Sequence, residues 1–354
     1  MKKQPFTEEN IDSWKEIPFV SVCTPTYNRR PFIDTMIECF NHQSYPKNKI
    51  EWIIIDDGTD KIGDLVKSHP NVTYYEYDKK MTLGRKRNVM HKKCRGDIIV
   101  YMDDDDYYPP ERIQHAVFKL LTNEQALCGG SSEMYIYFKH INQLYQFGPY
   151  GEQHATAGTF AFKRKLLKQT KYEDGACLAE EKMFLKNYTI PFVQFDSVKT
   201  ILVFSHVHNT YDKKQLLENQ HPNFVKPSNK SLDMFIKKTA TSDKITQFFM
   251  KDIDLALEKY APGEPNMKPD VLNQILEMKT KRDNEANSNK SFLQQQIVIK
   301  NGETPDIIMT VDELCSLSQK QRKMICHQIN VIQTKDAEIV SLRKRLDELL
   351  TLDK

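Results

Sequence analysis

A chain of 354 residues, 39% hydrophobic and 28% charged, can fill one medium core and a smaller appendage. Its net charge of +3 excludes both the strongly basic surface of a nucleic-acid binder and the acid excess of a tail protein. Seven scattered cysteines form no Cys-x-x-Cys pair, and no run reaches the roughly 18 apolar residues of a membrane helix. The expectation is a cytosolic chain with reduced thiols, no membrane span and no processed leader, in which Asn71-Val72-Thr73 is not a glycan acceptor.

After a polar arm over residues 1–18, "FVSVCTPTYN" reads as a buried strand ending in a polar turn. "RRPFIDTMIECFNHQ" has the helical spacing of Phe32, Met36, Ile37 and Phe40. "IEWIIIDDGT" is a second apolar run ending in acids, "KIGDLVKSH" a short helix and "NVTYYEYD" a third strand. "LGRKRNVMHKKC" follows as a helix and "GDIIVYMDDDD" as a fourth strand, after which "YPPE" turns into another helix. Strands alternating with helices predict a mostly parallel, doubly wound α/β sheet, with ligands beyond the carboxyl ends of the strands. Those ends read "TPTYNR", "DDGT" and "DDDD".

From Cys128 to about Thr210 the pattern mixes. "MYIYF" and "QLYQFG" suggest a strand pair, "GTFAFKRKLLKQT" a strand entering a helix, "LAEEKMFLKNY" a helix, and "FVQFDSVKTILVFSHVHNTY" two strands and a loop. The expected division is an α/β domain over residues 19–225, a helical region and linker over 226–290, and a hairpin plus coiled coil over 291–354. Asn301-Gly302 between two apolar runs marks the hairpin. Ile325, Ile329, Ile332, Ile339, Leu342, Leu346 and Leu349 recur at spacings of three and four, with Asp336 interrupting the stripe, which predicts a homo-oligomer assembled through a coiled coil.

Four adjacent aspartates repel one another, increasingly as a site dries, so acids at the end of a buried strand need a cation to meet. In order, "VSVCTPTYNRR", "EWIIIDDGT", "GRKRN", "IIVYMDDDDYYPPERI" and "AEEKMF" resemble family 2 glycosyltransferases of the GT-A fold, over about Phe19 to Tyr211. Large DNA viruses carry genes of this appearance, and the Lys/Asn-rich tail is compatible with that origin, which would place the protein in host cytoplasm.

The resemblance implies an inverting, metal-dependent transfer from a nucleotide-sugar donor, UDP by family habit, to an acceptor hydroxyl on a glycan, protein or small molecule. A divalent ion would neutralise the diphosphate leaving group, and Mn²⁺ or Mg²⁺ prefers carboxylate oxygens. The family's Asp-x-Asp motif fits Asp103-Asp104-Asp105, making Asp105 the metal ligand and Asp103 a ribose or metal-water contact, with Asp106 assisting; the fourfold run leaves the register open by one. His206 or His208 could complete the metal shell. The donor pocket would draw on Thr24, Pro25, Thr26, Tyr27 and Arg29 at the first strand end, and on Asp57, with its neighbour Asp56, for the base. Arg85, Arg87 and Asn88 would border the donor, with Asp103 and Asp104 opposite. The acidic pair implies a general base at Glu181 or Glu180, longer by a methylene than the family's usual aspartate, and His154 is a candidate for the acceptor pocket.

Rival readings are weaker. A haloacid-dehalogenase phosphatase would need a nucleophilic aspartate two residues before Asp57, where Ile55 stands. A nucleotidyltransferase would open with a glycine-rich loop, which "TPTYNRR" lacks. The basic run from Lys79 to Arg95 fits a solvated helix face better than a nucleic-acid surface. A non-catalytic scaffold would not need acids at all three stations.

Overall fold

Two apolar runs lie at the centre of the fold. β1 (Val20–Thr26) and β2 (Ile50–Asp56) pair in parallel from Val20 opposite Ile50 to Thr26 opposite Asp56. All of β2 is buried, as expected of a strand covered on both faces. β3 (Val72–Glu76) extends the sheet beside β2, and β4 (Ile98–Tyr101) lies parallel to β1 on its other side. The computed structural model describes residues 6–178, 181–218, 223–237, 242–299 and 307–352, with side chains over the same ranges except 286, 289–293 and 344–352.

Next come β5 (Cys128–Gly130), β6 (Met134–Phe138), β7 (Gln143–Phe147), β8 (Ala161–Lys163), β9 (Phe192–Gln194), β10 (Val203–Ser205) and β11 (Val225–Pro227). The main sheet runs β3-β2-β1-β4-β8-β5-β9, with β8 antiparallel to both neighbours, and a second sheet runs β10-β6-β7-β11. The expected mixed α/β architecture is present, and "MYIYF" and "QLYQFG" form the expected pair.

Helices α1 (Ile33–Asn41), α2 (Gly63–Val66), α3 (Leu83–His91) and α4 (Arg112–Thr122) connect these strands. The sheet has a core on each side. On one, Phe40 of α1 stacks on Trp52 of β2 with centroids 4.1 Å apart. On the other, Met90 of α3 packs with Tyr101, Phe162 and Phe184. The acidic helix expected in "LAEEKMFLKNY" is shorter than its pattern. α5 spans Glu181–Phe184, and Lys186, Asn187 and Tyr188 then take positive φ, which a continuing helix cannot accommodate.

Chain contacts divide the protein into residues 1–275 and 276–354. The first unit passes the expected limit at 225. Phe235, Ile236, Ile245, Phe249, Ile253 and Leu257 join its core, carried partly by α7 (Ser242–Gln247) and α8 (Ile253–Glu258), which follow α6 (Gln215–Glu218). Phe249 stacks on Phe204 at 4.2 Å.

The second unit contains most of α9 (Pro269–Leu293), the antiparallel pair β12 (Gln296–Ile299) and β13 (Ile307–Thr310), and α10 (Val311–Leu352). The Asn301-Gly302 turn and the side chains of Leu346 and Leu349 lie outside the described residues. Ile325, Ile329, Ile332, Ile339 and Leu342 are all exposed along α10.

Candidate active site

The chain runs β1, β2, β3 in one direction and then returns to place β4 on the far side of β1. Such a reversal opens a crevice at the carboxyl ends of the two central strands. Here it holds Thr26, Tyr27 and Arg29 after β1 and Asp103, Asp104 and Asp105 after β4, all lining one cleft.

The acidic loop is clamped from beneath. Met102 still donates its N–H to Cys23, and the Asp103 N–H donates to the Tyr108 hydroxyl at 2.7 Å. Arg112 is fully buried and donates to the carbonyls of Tyr101, Thr159 and Phe160, tying the end of β4 to the turn around Gly158. Gly158 lies so close that a Cβ there would sit 2.8 Å from Asp103 Oδ2. Burial pushes the Arg112 guanidinium down to about 10, which still leaves it charged at neutral pH.

Arg29 faces the acids from the opposite strand end, with Nε 3.5 Å from Asp104 Oδ1 and Nη2 3.2 Å from Asp105 Oδ2. His206 Nε2 lies 3.4 Å from the same Asp105 oxygen and 2.7 Å from Asn209 Nδ2. Burial pushes the Asp105 carboxyl up, but Arg29 and His206 outweigh it and hold the acid below its ordinary range. Burial raises Asp104 to about 7 against the pull of Arg29, while burial and the Asp105 charge raise Asp106 well above normal. The four adjacent acids therefore do not all carry charge together, which is how the chain tolerates them.

The other wall is cationic. Lys86 is buried, donates to the Thr26 carbonyl at 2.9 Å and pairs with Asp57, whose second oxygen accepts from the Met81 N–H. Burial lowers the Lys86 ammonium and Asp57 partly restores it. Lys80 and Lys86 flank the Tyr27 ring at 5.3 and 5.7 Å. Arg87 lines the cleft with its guanidinium 4.6 Å from the Tyr101 ring centre. Lys268 and Asp270, from the start of α9 and the residue before it, complete the lining with Thr210.

Of the residues expected at a donor site, Pro25, Thr26, Tyr27, Arg29, Arg87, Asp103, Asp104 and Asp105 line this cleft, and Asp57 stands behind it, paired with Lys86. The others take different positions. Thr24 is buried, donating to the Met102 carbonyl and accepting from Trp52 Nε1. Asp56 turns inward, accepting from the N–H groups of Gly58 and Ile62 and from the Tyr74 hydroxyl. Arg85 is exposed, and Asn88 ties α3 to Tyr172 and Asp174.

The expected metal set of Asp103, Asp105, Asp106 and His208 does not converge. Among the described residues no three His, Cys, Asp or Glu side chains are placed to hold an ion together. His206, rather than His208, stands at Asp105, because β10 ends at Ser205 and the chain turns. Both histidines therefore leave the strand, and the expected shared face is not formed. The His208 ring points instead at Gly263, where a Cβ would sit 2.7 Å from its Nδ1.

Glu181 opens α5 and is not among the cleft residues; Glu180 lies outside the described residues. The Tyr188 hydroxyl is raised by burial and by the Glu181 charge. Tyr188 packs on His154 at 5.3 Å, and His154 on Tyr150 at 5.0 Å, giving an aromatic surface on the Glu181 side.

Lys86, Lys268 and His206 carry much of the charge arrangement. Lys86 could have been found in the sequence, because counting one helical turn back from the apolar Met90 gives Lys86 and Arg87 and leaves Arg85 outside. Lys268 gave no such signal, since it comes from a distant segment of linker-like composition.

Residues 21–188 match the family model described as Glycosyl transferase family 2. The poly(ribitol-phosphate) beta-N-acetylglucosaminyltransferase TarS of Staphylococcus aureus is 30% identical over 101 residues, 27% of this chain and 18% of TarS. The uncharacterized glycosyltransferase EpsJ of Bacillus subtilis is 32% identical over 117 residues, 30% of each chain. This chain thus spans less than a third of either relative. Among solved structures, the mannosyltransferase PcManGT from Pyrobaculum calidifontis, in complex with GDP-Man and Mn2+, superposes with a TM-score of 0.43 at 15% identity, covering 70% of this chain and 74% of that one.

Proposed function

We propose that this chain, a family 2 glycosyltransferase of the GT-A fold by the domain it carries, moves a sugar from a nucleoside-diphosphate donor to an acceptor hydroxyl with inversion at the sugar carbon. The observation that carries this reading is the cleft between β1 and β4, where an ionised Asp105 and a group of buried or partly buried cations line one cavity. A nucleoside diphosphate with a divalent ion fits that division of charge.

Asp105 and His206 are the residues that would hold the ion. Their ligating atoms are 3.4 Å apart, close to the roughly 3 Å between neighbouring ligands of an octahedral Mg²⁺ site. Two protein donors leave positions for phosphate oxygens, and bound Mn²⁺ or Mg²⁺ would supply charge neutralisation to the departing diphosphate. Arg29 holds Asp104 and Asp105 in place. Tyr27, between two lysines, offers its ring to the base, and Lys86 fixes Asp57 behind it. Glu181 takes the proton from the attacking hydroxyl, and the rings of Tyr150, His154 and Tyr188 provide the apolar surface on which sugar rings stack.

UDP is the first nucleotide to test. N-acetylglucosamine is the first sugar, because TarS is named for its transfer. Melting curves with UDP, GDP, dTDP and CDP, each with and without Mn²⁺, test the reading directly. A stabilisation by one nucleotide that depends on Mn²⁺ supports it, and no stabilisation of folded protein by any of them refutes it.

The second unit is proposed to assemble the enzyme through a second copy of α10. Isolated helices draw little stability from propensity alone, and α10 leaves five aliphatic stripe residues exposed between Ile325 and Leu342.

A further inference from the structure

The cleft has a wall that the matched family domain does not provide. Residues 21–188 contribute the strand ends and α3, whereas Lys268, Asp270 and Val271 come from the segment that leads into α9. That segment is fastened on both sides of the opening. Tyr260 donates to Asp60 at 2.7 Å, Asn28 to the Pro262 carbonyl at 2.8 Å and the Tyr27 hydroxyl to the Met267 carbonyl at 3.2 Å. Across the cleft, Lys80 pairs with Asp270, and the N–H groups of Cys177 and Leu178 donate to Gln274 Oε1 at 2.8 and 3.0 Å. These bonds fix the backbone on either side of Lys268.

Lys268 itself is only 6% exposed, yet among the described residues its ammonium makes one hydrogen bond, to Thr210 Oγ1 at 3.3 Å, and no ion pair. Asp104 and Asp105 are the acids that face it, and both are already engaged by Arg29. Burial, with Arg29, pulls the Lys268 ammonium down to about 7, so keeping its charge inside the cleft costs stability unless an anion meets it. Other buried or partly buried lysines of the cleft differ in this respect, since Lys86 has Asp57 and Lys80 has Asp270.

We propose that Lys268 is a donor-binding residue that engages the distal phosphate of a nucleoside diphosphate, so that the segment outside the family domain makes the cleft select diphosphates over monophosphates. The proposal rests on the donor reading above. It assigns the buried charge a partner of matching sign inside the same cavity, and it explains why the segment is fastened to both rims.

The test uses the full chain with Lys268→Met, which keeps the length of the stem and removes the charge, and Lys268→Arg, which restores it. Calorimetric titrations with UDP, UMP, GDP and GMP in Mn²⁺ give the diphosphate-to-monophosphate affinity ratio for each protein. Losing one charge-assisted contact should lower diphosphate affinity about 10-fold or more in Lys268→Met and bring the ratio toward one, with Lys268→Arg retaining most of the preference. The ligand-free Lys268→Met protein should melt above the wild type, because an unmet buried charge has gone; a purely structural lysine would give the opposite sign. A wild-type ratio in Lys268→Met, or a lowered melting temperature with unchanged affinities, overturns the assignment of Lys268 alone. Failure of the wild type to bind any of the four nucleotides overturns the donor reading and this inference with it.

Discussion

Arg29 and Asp105 join three separate parts of the chain. Arg29 Nη2 lies 3.2 Å from Asp105 Oδ2 while Nη1 donates to the His208 carbonyl at 2.8 Å. One guanidinium thus links the end of β1, the acidic loop after β4 and the turn after β10. Its charge also lets Asp105 stay ionised in a buried setting.

Removing that guanidinium leaves two buried acids without their main partner. Arg29→Met is expected to lose about 3 kcal/mol or more of stability, the usual result of breaking one side of a buried pair. Urea unfolding with and without Mn²⁺ checks this, and the ion should restore more stability to the variant than it adds to the wild type.

The two histidines after β10 should separate cleanly. His206→Ala is expected to raise the Mn²⁺ concentration needed for donor turnover by about 10-fold or more, the lower range for losing support at a metal ligand. His208→Ala should leave the Mn²⁺ requirement near that of the wild type. Equal effects from both variants would remove His206 from the ion's shell.

Glu181→Gln keeps the size and removes the base. Turnover should drop by about 100-fold or more while UDP binding is retained. A loss of UDP affinity matching the loss of turnover would move Glu181 from the proton-transfer role to the donor site.

Stability should fall on the acid side partly through His91, which is buried behind the cleft-lining Arg87 and is not itself among the cleft residues. Its ring accepts or donates a 2.6 Å bond with the Tyr101 hydroxyl, and burial, reinforced by Arg87, pushes it down to about 3. The native state therefore stays unprotonated there while the unfolded chain takes up a proton below about 6.5. The contribution is fully present above pH 6.5 and is lost as pH falls toward 3. Between pH 4 and 6 one such group gives a slope of about 1.4 kcal/mol per pH unit, and His91→Gln should flatten the measured profile by that amount.

The stripe on α10 is tested by charge. Ile329→Asp with Ile332→Asp should lower the mass seen by light scattering while leaving the melting of the first unit unchanged. An unaltered mass would place any self-association elsewhere.

Much of this site was legible in short stretches. Apolar runs closed by "TPTY", "DDGT" and "DDDD" give buried strands with polar carboxyl ends whatever surrounds them, because a strand's burial pattern is written within a few residues. Their order along the chain then placed the acids at one edge of a doubly wound sheet. Local pattern was less informative at "LAEEKMFLKNY", where three left-handed residues stop the helix, and at "SHVH", where the strand ends one residue before the first histidine.

The sequence by itself determined the sheet, its acid-tipped edge and the residues that could carry chemistry there, since those depend on periodicity and neighbours in the chain. Only the tertiary structure decided that Asp105 is held low while Asp104 and Asp106 are pushed up, that His206 rather than His208 meets Asp105, and that Lys268 enters the cleft. Those outcomes depend on burial and on counter-charges from distant segments, and a carboxylate or ammonium has no fixed state until its solvent and its partners are set.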